Sequence, residues 1–470
     1  MSIGFRDTVV INGSVITGDG RTFLEKAIVR LRDDRIVEVR EGTEMATEGA
    51  FIIDATGCTV MPGIINAHAH GCIHGPTMPS GSMPFAEHHV AYFRNRHLLS
   101  GTTTLLNVCG LAAPDEICPP ETEHHPLDIH VSTAHTPSNI AAAMEIDGKG
   151  LSERHRALTI EQMIADGAKA LGEAGGGQTL GGGAQDYRFI PAAILTATGV
   201  AVHPKVARSL KEAVLGRSLK GDGAADQPVL EQLMESCGLK AHLGVAEMRE
   251  LIVKTVIPPV ALSLQGFWEI AAQATRFALP AIFHTALPTI ETLLKIAASN
   301  PACVMVAGHA NHPSFLPEEA VRFGLELRNR GAAIDVSTLD CVHTRWRNDP
   351  DNLDALIEAG LADTISTDFA GGDWDSILSA VQRMVTKRQL SAPAAVALAT
   401  GNVARIFPQL AGDRGVLETG RRADLTISES HNLSRVRHVI IKGEVAVWNG
   451  GLIDGSGPVA RTSPAEITAL

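Results

Sequence analysis

Pro62-Gly63-Ile64-Ile65-Asn66-Ala67-His68-Ala69-His70 is an apolar strand that opens on a Pro-Gly pair and closes on two histidines. Successive side chains of a strand point to opposite faces, so His68 and His70 share one face, one pleat apart. If that face looks into a barrel at the strand's C-terminal end, both imidazoles converge on one point. Imidazole is the commonest neutral metal ligand. An HxH pair by itself says little, and its meaning depends on the rest of the chain.

Further along, β-rich runs alternate with helical patterns, the signature of βα units and a parallel sheet. Eight candidate strands succeed one another: Thr59–Ala67, Thr102–Cys109, Asp128–His135, Ala168–Glu173, Pro280–Thr285, Cys303–Gly308, Ala332–Thr338 and Ala362–Thr367. Eight suit an α/β fold of the (β/α)8 TIM-barrel type, set at residues 61–411. Their spacing is regular except between the fourth and fifth. There, Gly266 to Phe277 reads as an ordinary connecting helix. The rest, at about 176–263, is an insertion with helical periodicity at Val229–Leu233 and Val245–Leu251. It borders the barrel mouth, although a dimer interface has the same look in sequence.

Both ends of the chain are β-rich. Thr8-Val9-Val10-Ile11 runs into the turn pair Asn12-Gly13, and the strand-like Ala27–Leu31 and Arg35–Val39 flank Asp33-Asp34. Ala423–Ile427 and Val436–Val447 read the same way. Residues 1–60 and 412–470 are therefore expected to pair into one module, since chain termini often lie close together. Two unrelated β appendages are the alternative.

Three more positions stand at the ends of later candidate strands. His284 ends Ala281-Ile282-Phe283, His309 follows Val304 to Gly308, and Asp368 follows Thr364 to Thr367. Catalytic residues of such barrels come from the C-terminal ends of several strands. One such histidine is ordinarily a core or loop residue; four and an aspartate, all at strand ends, form a constellation.

On these motifs the chain resembles the amidohydrolase superfamily over nearly its whole length. The likeness extends to Ser100-Gly101-Thr102-Thr103-Thr104 before the second strand, and to Gly415-Val416-Leu417-Glu418-Thr419-Gly420 and Ala423-Asp424-Leu425 on the return. It implies that the two end segments form a composite β-sandwich beside the barrel. It also implies two divalent ions per chain, one on His68, His70 and Asp368 and the other on His284 and His309. In two-metal members a carboxylated Lys or a Glu bridges the ions. Lys169 and Glu173 have the same parity on the fourth strand, and Glu173, nearer its C-terminal end, is the favoured bridge. Gly172-Glu173-Ala174-Gly175 and Gly308-His309-Ala310-Asn311 look most like the enamidase-type branch, which opens a cyclic enamide. One departure is Asn66, where the family usually carries Asp; an amide keeps a hydrogen bond there but not the charge.

The resemblance implies a hydrolase that cuts a C–N bond of an amide, a cyclic amide or enamide, with metal-bound hydroxide. A divalent ion lowers the pKa of bound water from 15.7 to about 7. Asp368 is expected to take the proton and pass it to the leaving nitrogen. Imidazole and carboxylate donors suit Zn first, and Fe, Mn, Ni or Co also. His343 and Arg345 after the seventh strand, Trp374 after the eighth, and His312 are candidates for contact with a small-molecule substrate. Arg345 reads equally as a solvated surface charge. A one-metal deaminase of heterocycles is the first alternative, yet the acid that such enzymes carry three residues after a strand-end His is replaced here by Leu287 and His312. A non-catalytic binding or scaffold barrel is the second alternative, and it ordinarily loses ligands.

The 470 residues, 45% hydrophobic and 20% charged, carry a net charge of −12 and no basic stripe, which argues against nucleic acid and anionic membranes as partners. No apolar run approaches the roughly 18 residues needed to span a bilayer. The N-terminus lacks the basic and apolar regions of a signal peptide. Seven scattered cysteines without CxxC spacing fit reduced thiols, so a cytoplasmic location is expected. The resemblance adds a homo-oligomer, dimer or tetramer.

Overall fold

The computed structural model describes residues 3–453 apart from 5, 45–46, 118–124, 176–179, 182, 184, 258–259, 340, 344–347 and 372–373. Its centre is a parallel barrel of eight strands: Ile64–Ala69, Thr102–Asn107, Asp128–Thr133, Ala170–Ala174, Ala281–His284, Met305–Gly308, Ala333–Ser337 and Thr364–Ser366, neighbours in that order. Every residue of the first two strands is buried. Such unbroken apolar burial is what a parallel sheet covered by helices demands. The first and last strands meet at the bridge Ala69–Phe369. Asp368 N–H donates to the His68 carbonyl at 2.9 Å, and His70 N–H to the Phe369 carbonyl at 2.8 Å.

The expected first strand, Thr59–Ala67, is two strands in two different sheets. Cys58–Pro62 lies in the second module, and Ile64–Ala69 enters the barrel. The break falls at Gly63, whose N–H is held by the Asp424 carbonyl at 2.8 Å. A Cβ on Gly63 would lie 2.2 Å from Thr103 Oγ1, so only glycine lets the second barrel strand pass this close. Between Val60 and Ile65 the run contains no polar residue to mark that switch.

The chain ends do pair, into a mixed ten-stranded sheet separate from the barrel. Leu425–Glu429 runs antiparallel to Cys58–Pro62, Leu425 opposite Pro62, which joins the C-terminal strands to Asp7–Ile16 and Phe23–Arg32. Val10, Val29 and Ile36 share one core with Leu425, Ile440 and Val445.

Between the fourth and fifth barrel strands, the helices Ile190–Thr198, Pro204–Leu215, Gln227–Ser236 and Val245–Val256 build a core of their own from Ile194, Leu210, Leu230, Met234, Met248 and Ile252. The segment before them, Gln185–Phe189, is pinned by a buried ion pair, Lys211 Nζ to Asp186 Oδ1 at 2.7 Å, with Gln185 Oε1 at 3.1 Å. One stretch, 245–277, is long and apolar enough by composition to cross a membrane, contrary to the expectation that none is. Here Met248 and Ile252 pack in the insertion core, and Phe267 and Ile270 of the helix Val260–Phe277 pack in the barrel core.

Candidate metal centre

The C-terminal ends of the first, fourth, fifth, sixth and eighth strands bring His68, His70, Glu173, His284, His309 and Asp368 together. Glu173, only 2% exposed, lies at the middle. Its Oε2 faces His68 Nε2 at 3.7 Å and His70 Nε2 at 3.6 Å. Its Oε1 faces His309 Nε2 at 2.9 Å and His284 Nδ1 at 3.2 Å. Asp368 Oδ1 closes the first side, 3.5 Å from His68 Nε2 and 3.4 Å from His70 Nε2. Lys169, the other candidate bridge, precedes the strand and is half-buried, with its backbone N–H bound to Val131.

Backbone geometry aims these groups. Gly172, before the glutamate, has φ of +95°, and a Cβ there would stand 2.2 Å from the Ile282 carbonyl oxygen. The fourth strand therefore presses on the fifth where Glu173 turns inward. His309 and Asp368 also have positive φ, 38° and 48°, a conformation uncommon outside glycine that clusters at functional sites.

The donor set fits divalent metal. A tetrahedral ion with bonds of about 2.0–2.2 Å holds its ligand atoms roughly 3.3–3.6 Å apart, close to the spacing on the first side. Both ring nitrogens of His68 are buried with no hydrogen-bond partner among the described residues. Buried polar atoms are almost always satisfied, so an orphaned imidazole facing two carboxylates points to an ion as its partner. On the other side, His284 Nε2 lies 3.1 Å from the Leu180 carbonyl. Its proton sits there, which leaves the Nδ1 lone pair toward Glu173.

Electrostatics agree. Burial disfavours the charged form of His68, but Glu173 and Asp368 outweigh it and raise the ring to about 9. Burial likewise works against ionised Glu173, yet the imidazoles of His284, His309 and His68 around its two oxygens hold it well below the usual carboxylate range. Asp368 is lowered against its burial by His309, His70 and His68. The cluster keeps two carboxylates charged beside four imidazoles, an environment that attracts cations.

Behind this cluster lie two residues with supporting contacts. Asn66 Nδ2 donates to Thr367 Oγ1 at 2.7 Å, and its Oδ1 accepts the N–H of Thr367 at 3.2 Å and of His68 at 3.3 Å. The amide thus ties the first strand to the eighth without adding a charge. Asp335, missed in the sequence, accepts from Thr364 Oγ1 and Ser366 Oγ at 2.7 Å each and from His309 N–H at 3.4 Å. Burial pushes its carboxyl up. An acid amid the otherwise apolar Ala333-Ile334-Val336 was the available signal.

The substrate candidates scatter. The His312 ring lies 5.3 Å from that of His284, and its Nδ1 accepts the Ser314 N–H at 3.1 Å. Trp374 packs edge-on against His97 at 4.7 Å and Phe369 at 4.9 Å. The His343 side chain is exposed, with its backbone N–H on Asp375 Oδ1 at 3.0 Å. Arg345 lies outside the described residues.

No family model matches the chain. A 5-methylthioadenosine/S-adenosylhomocysteine deaminase of Halalkalibacterium halodurans is 32% identical over 130 residues, 23% of this chain. The match spans 30% of the length of that curated relative. Among solved structures, β-aspartyl dipeptidase from Fervidobacterium islandicum AW-1 is similar with a TM-score of 0.57 at 16% identity, over 97% of this chain and 100% of that one. D-aminoacylase gives 0.55 at 14%, over 96% and 98%. Dihydropyrimidinase from Brevibacillus agri NCHU1002 gives 0.51 at 14%, over 95% and 96%. The likeness covers barrel and flanking sheet together, and what it shows is the fold.

Proposed function

We infer, from an amidohydrolase-type fold that carries a complete set of metal-binding side chains, that this chain is a metal-dependent hydrolase of a C–N bond in an amide, cyclic amides and enamides included. The observation that carries this reading is Glu173, each of whose carboxylate oxygens addresses a different pair of histidines. His68, His70 and Asp368 would hold one ion, His284 and His309 a second, with Glu173 shared. Divalent metal would supply an acidified water and polarise the scissile carbonyl, and imidazole with carboxylate suits Zn, Fe, Mn, Ni or Co. Asp368, 18% exposed at its side chain and the most open of the six ligands, would accept the water proton and return it to the leaving nitrogen. Water oxygen bonds to the carbonyl carbon, the C–N bond breaks, and an acid and an amine result. The cyclic-enamide specialisation rests on the glycine-flanked Glu173 and His309 motifs alone.

The deaminase match supports a second reading, a one-metal aminohydrolase. Against it, the third residues after His284 and His309 are Leu287 and His312, neither acidic. D-aminoacylase has a binuclear centre with one-metal activation and second-metal attenuation, so ion count and activity are measured together. Protein purified without chelator is expected to carry about two ions per chain by elemental analysis, fewer in Glu173→Ala, and to hydrolyse members of a linear and cyclic amide panel. One ion, unchanged in that variant, with ammonia released from aminated heterocycles, sinks the hydrolase reading in favour of the deaminase. A homo-oligomer, dimer or tetramer, belongs to the same proposal and is read by light scattering.

A further inference from the structure

Two cavities open on the cluster from opposite sides of the barrel mouth. One lies where the second, third and fourth strands end and reaches Glu173. Leu111, Ala134, Ala142, Ala143 and Ile146 give it an apolar wall. Two of its polar side chains are tied within the protein: Asn139 Nδ2 donates to Thr136 Oγ1 at 2.9 Å, and Ser80 Oγ pairs with Ser82 Oγ at 2.8 Å, while Ser263 also lines it. The other cavity lies beyond the sixth, seventh and eighth strands, across the ring, and reaches His309 and Asp368. Asn311, His312, Asn348 and Asp349 make it polar. Because His312 Nδ1 accepts the Ser314 N–H, its Nε2 carries the hydrogen and is a donor.

We propose that the apolar cavity is the acyl subsite and the polar cavity the amine subsite. The substrate is then an amide of a compact apolar carboxylic acid with a polar amine. This rests on the hydrolase reading above. The reason is the path of the proton. It leaves water for Asp368 and must reach the departing nitrogen, so the amine half lies on the side that Asp368 lines. The acyl half takes the remaining side, against Ala142, Ala143 and Ile146, where burying apolar surface rewards a hydrocarbon group. A ring amide spans the same two subsites with its C–N bond at the cluster.

The test uses metal-loaded full-length protein and ethanolamides of acetic, 3-methylbutanoic and benzoic acid, with N-(3-methylbutyl)glycolamide as the reversed amide. One methylene of fit in an apolar pocket is worth about 10–200-fold in kcat/KM. The 3-methylbutanoyl amide should exceed the acetyl and the reversed amide by about tenfold or more. Ala143→Leu should cancel that preference, and Ile146→Ala should shift it toward benzoyl. Calorimetric binding of 3-methylbutanoate, also weakened by Ala143→Leu, is the readout without turnover. Preference for the reversed amide, or an acyl ranking unchanged in both variants with normal melting and metal content, overturns the assignment and leaves the hydrolase standing. Turnover of no amide, with 3-methylbutanoate bound and released by Ala143→Leu, keeps the apolar subsite and sinks the hydrolase.

Discussion

His68, His70 and Asp368 come from the two strands that meet where the barrel closes, and their donor atoms stand 3.4–3.7 Å from the carboxylates they face. His284 and His309 come from the adjacent fifth and sixth strands, and with Glu173 Oε1 they lie 2.9–3.2 Å from one another. The first half is spaced by a backbone seam, with Asn66 as its clamp. The second is spaced by hydrogen bonds among the ligands themselves and steadied by the Leu180 carbonyl, at the entry to the insertion. A seam holds ligands apart at ion distance, whereas mutual hydrogen bonds must part before an ion enters. If Glu173 bridges two ions as proposed, the two halves of the site are preorganised to different degrees.

The comparison is broken most directly at Asp368, the residue of the first half proposed to carry the proton. Asp368→Asn should keep the fold and lower kcat by about 10²–10⁴-fold, the usual worth of a general acid–base group. Near-normal turnover on any amide that the parent hydrolyses removes Asp368 from the role. Lys211→Met tests the other half from a distance. It removes the ammonium from the buried ion pair with Asp186, a loss of about 3–5 kcal/mol where one partner of such a pair is taken away. Calorimetric titration should then show the weaker of two ion-binding steps shifted about tenfold and the tighter step unchanged. Equal weakening of both would mean that the insertion does not distinguish the halves.

Acid sharpens the contrast with the smallest effect. His97, fully buried beside the seam, has its Nδ1 3.5 Å from Asn66 Nδ2, and burial drives it to about 3, helped by Arg96 and His125. Its ordinary value is 6.5, so between pH 6.5 and 3 the unfolded chain binds a proton there that the folded chain refuses. The stability contributed by neutral His97 is complete above pH 6.5 and is lost as pH falls toward 3. The urea midpoint of metal-free protein should fall across that window, and less steeply in His97→Leu. Parallel pH profiles for the two proteins would show that His97 does not carry the effect.

The site was legible where chemistry and position coincide. His68, His70, His284, His309 and Asp368 are polar residues at the ends of apolar runs, and strand parity placed Glu173 beside them. Asp335 stood out only as an acid inside an apolar strand, and its role was not legible, because it acts by accepting from Thr364 and Ser366 and from the His309 backbone. Leu180 contributes a carbonyl, which no side chain announces. Lys211 and Asp186 are 25 residues apart, with nothing in that spacing to pair them. The fold was read from alternating β and α patterns; its misplaced boundary, at Gly63, is a packing contact with Thr103 that no periodicity encodes.

The pairing of Cys58–Pro62 with Leu425–Glu429 sets a timetable for synthesis. Thr59 meets Ser430 across 371 residues, Oγ to Oγ at 2.9 Å. When Cys58–Pro62 leaves the ribosome, the partner for one of its edges has yet to be translated. Such an edge is a template for wrong pairing, and contacts this far apart in sequence form slowly. At about 5–20 residues per second, the nascent chain carries that open edge for roughly 20–75 s, a period in which a chaperone has reason to attend it.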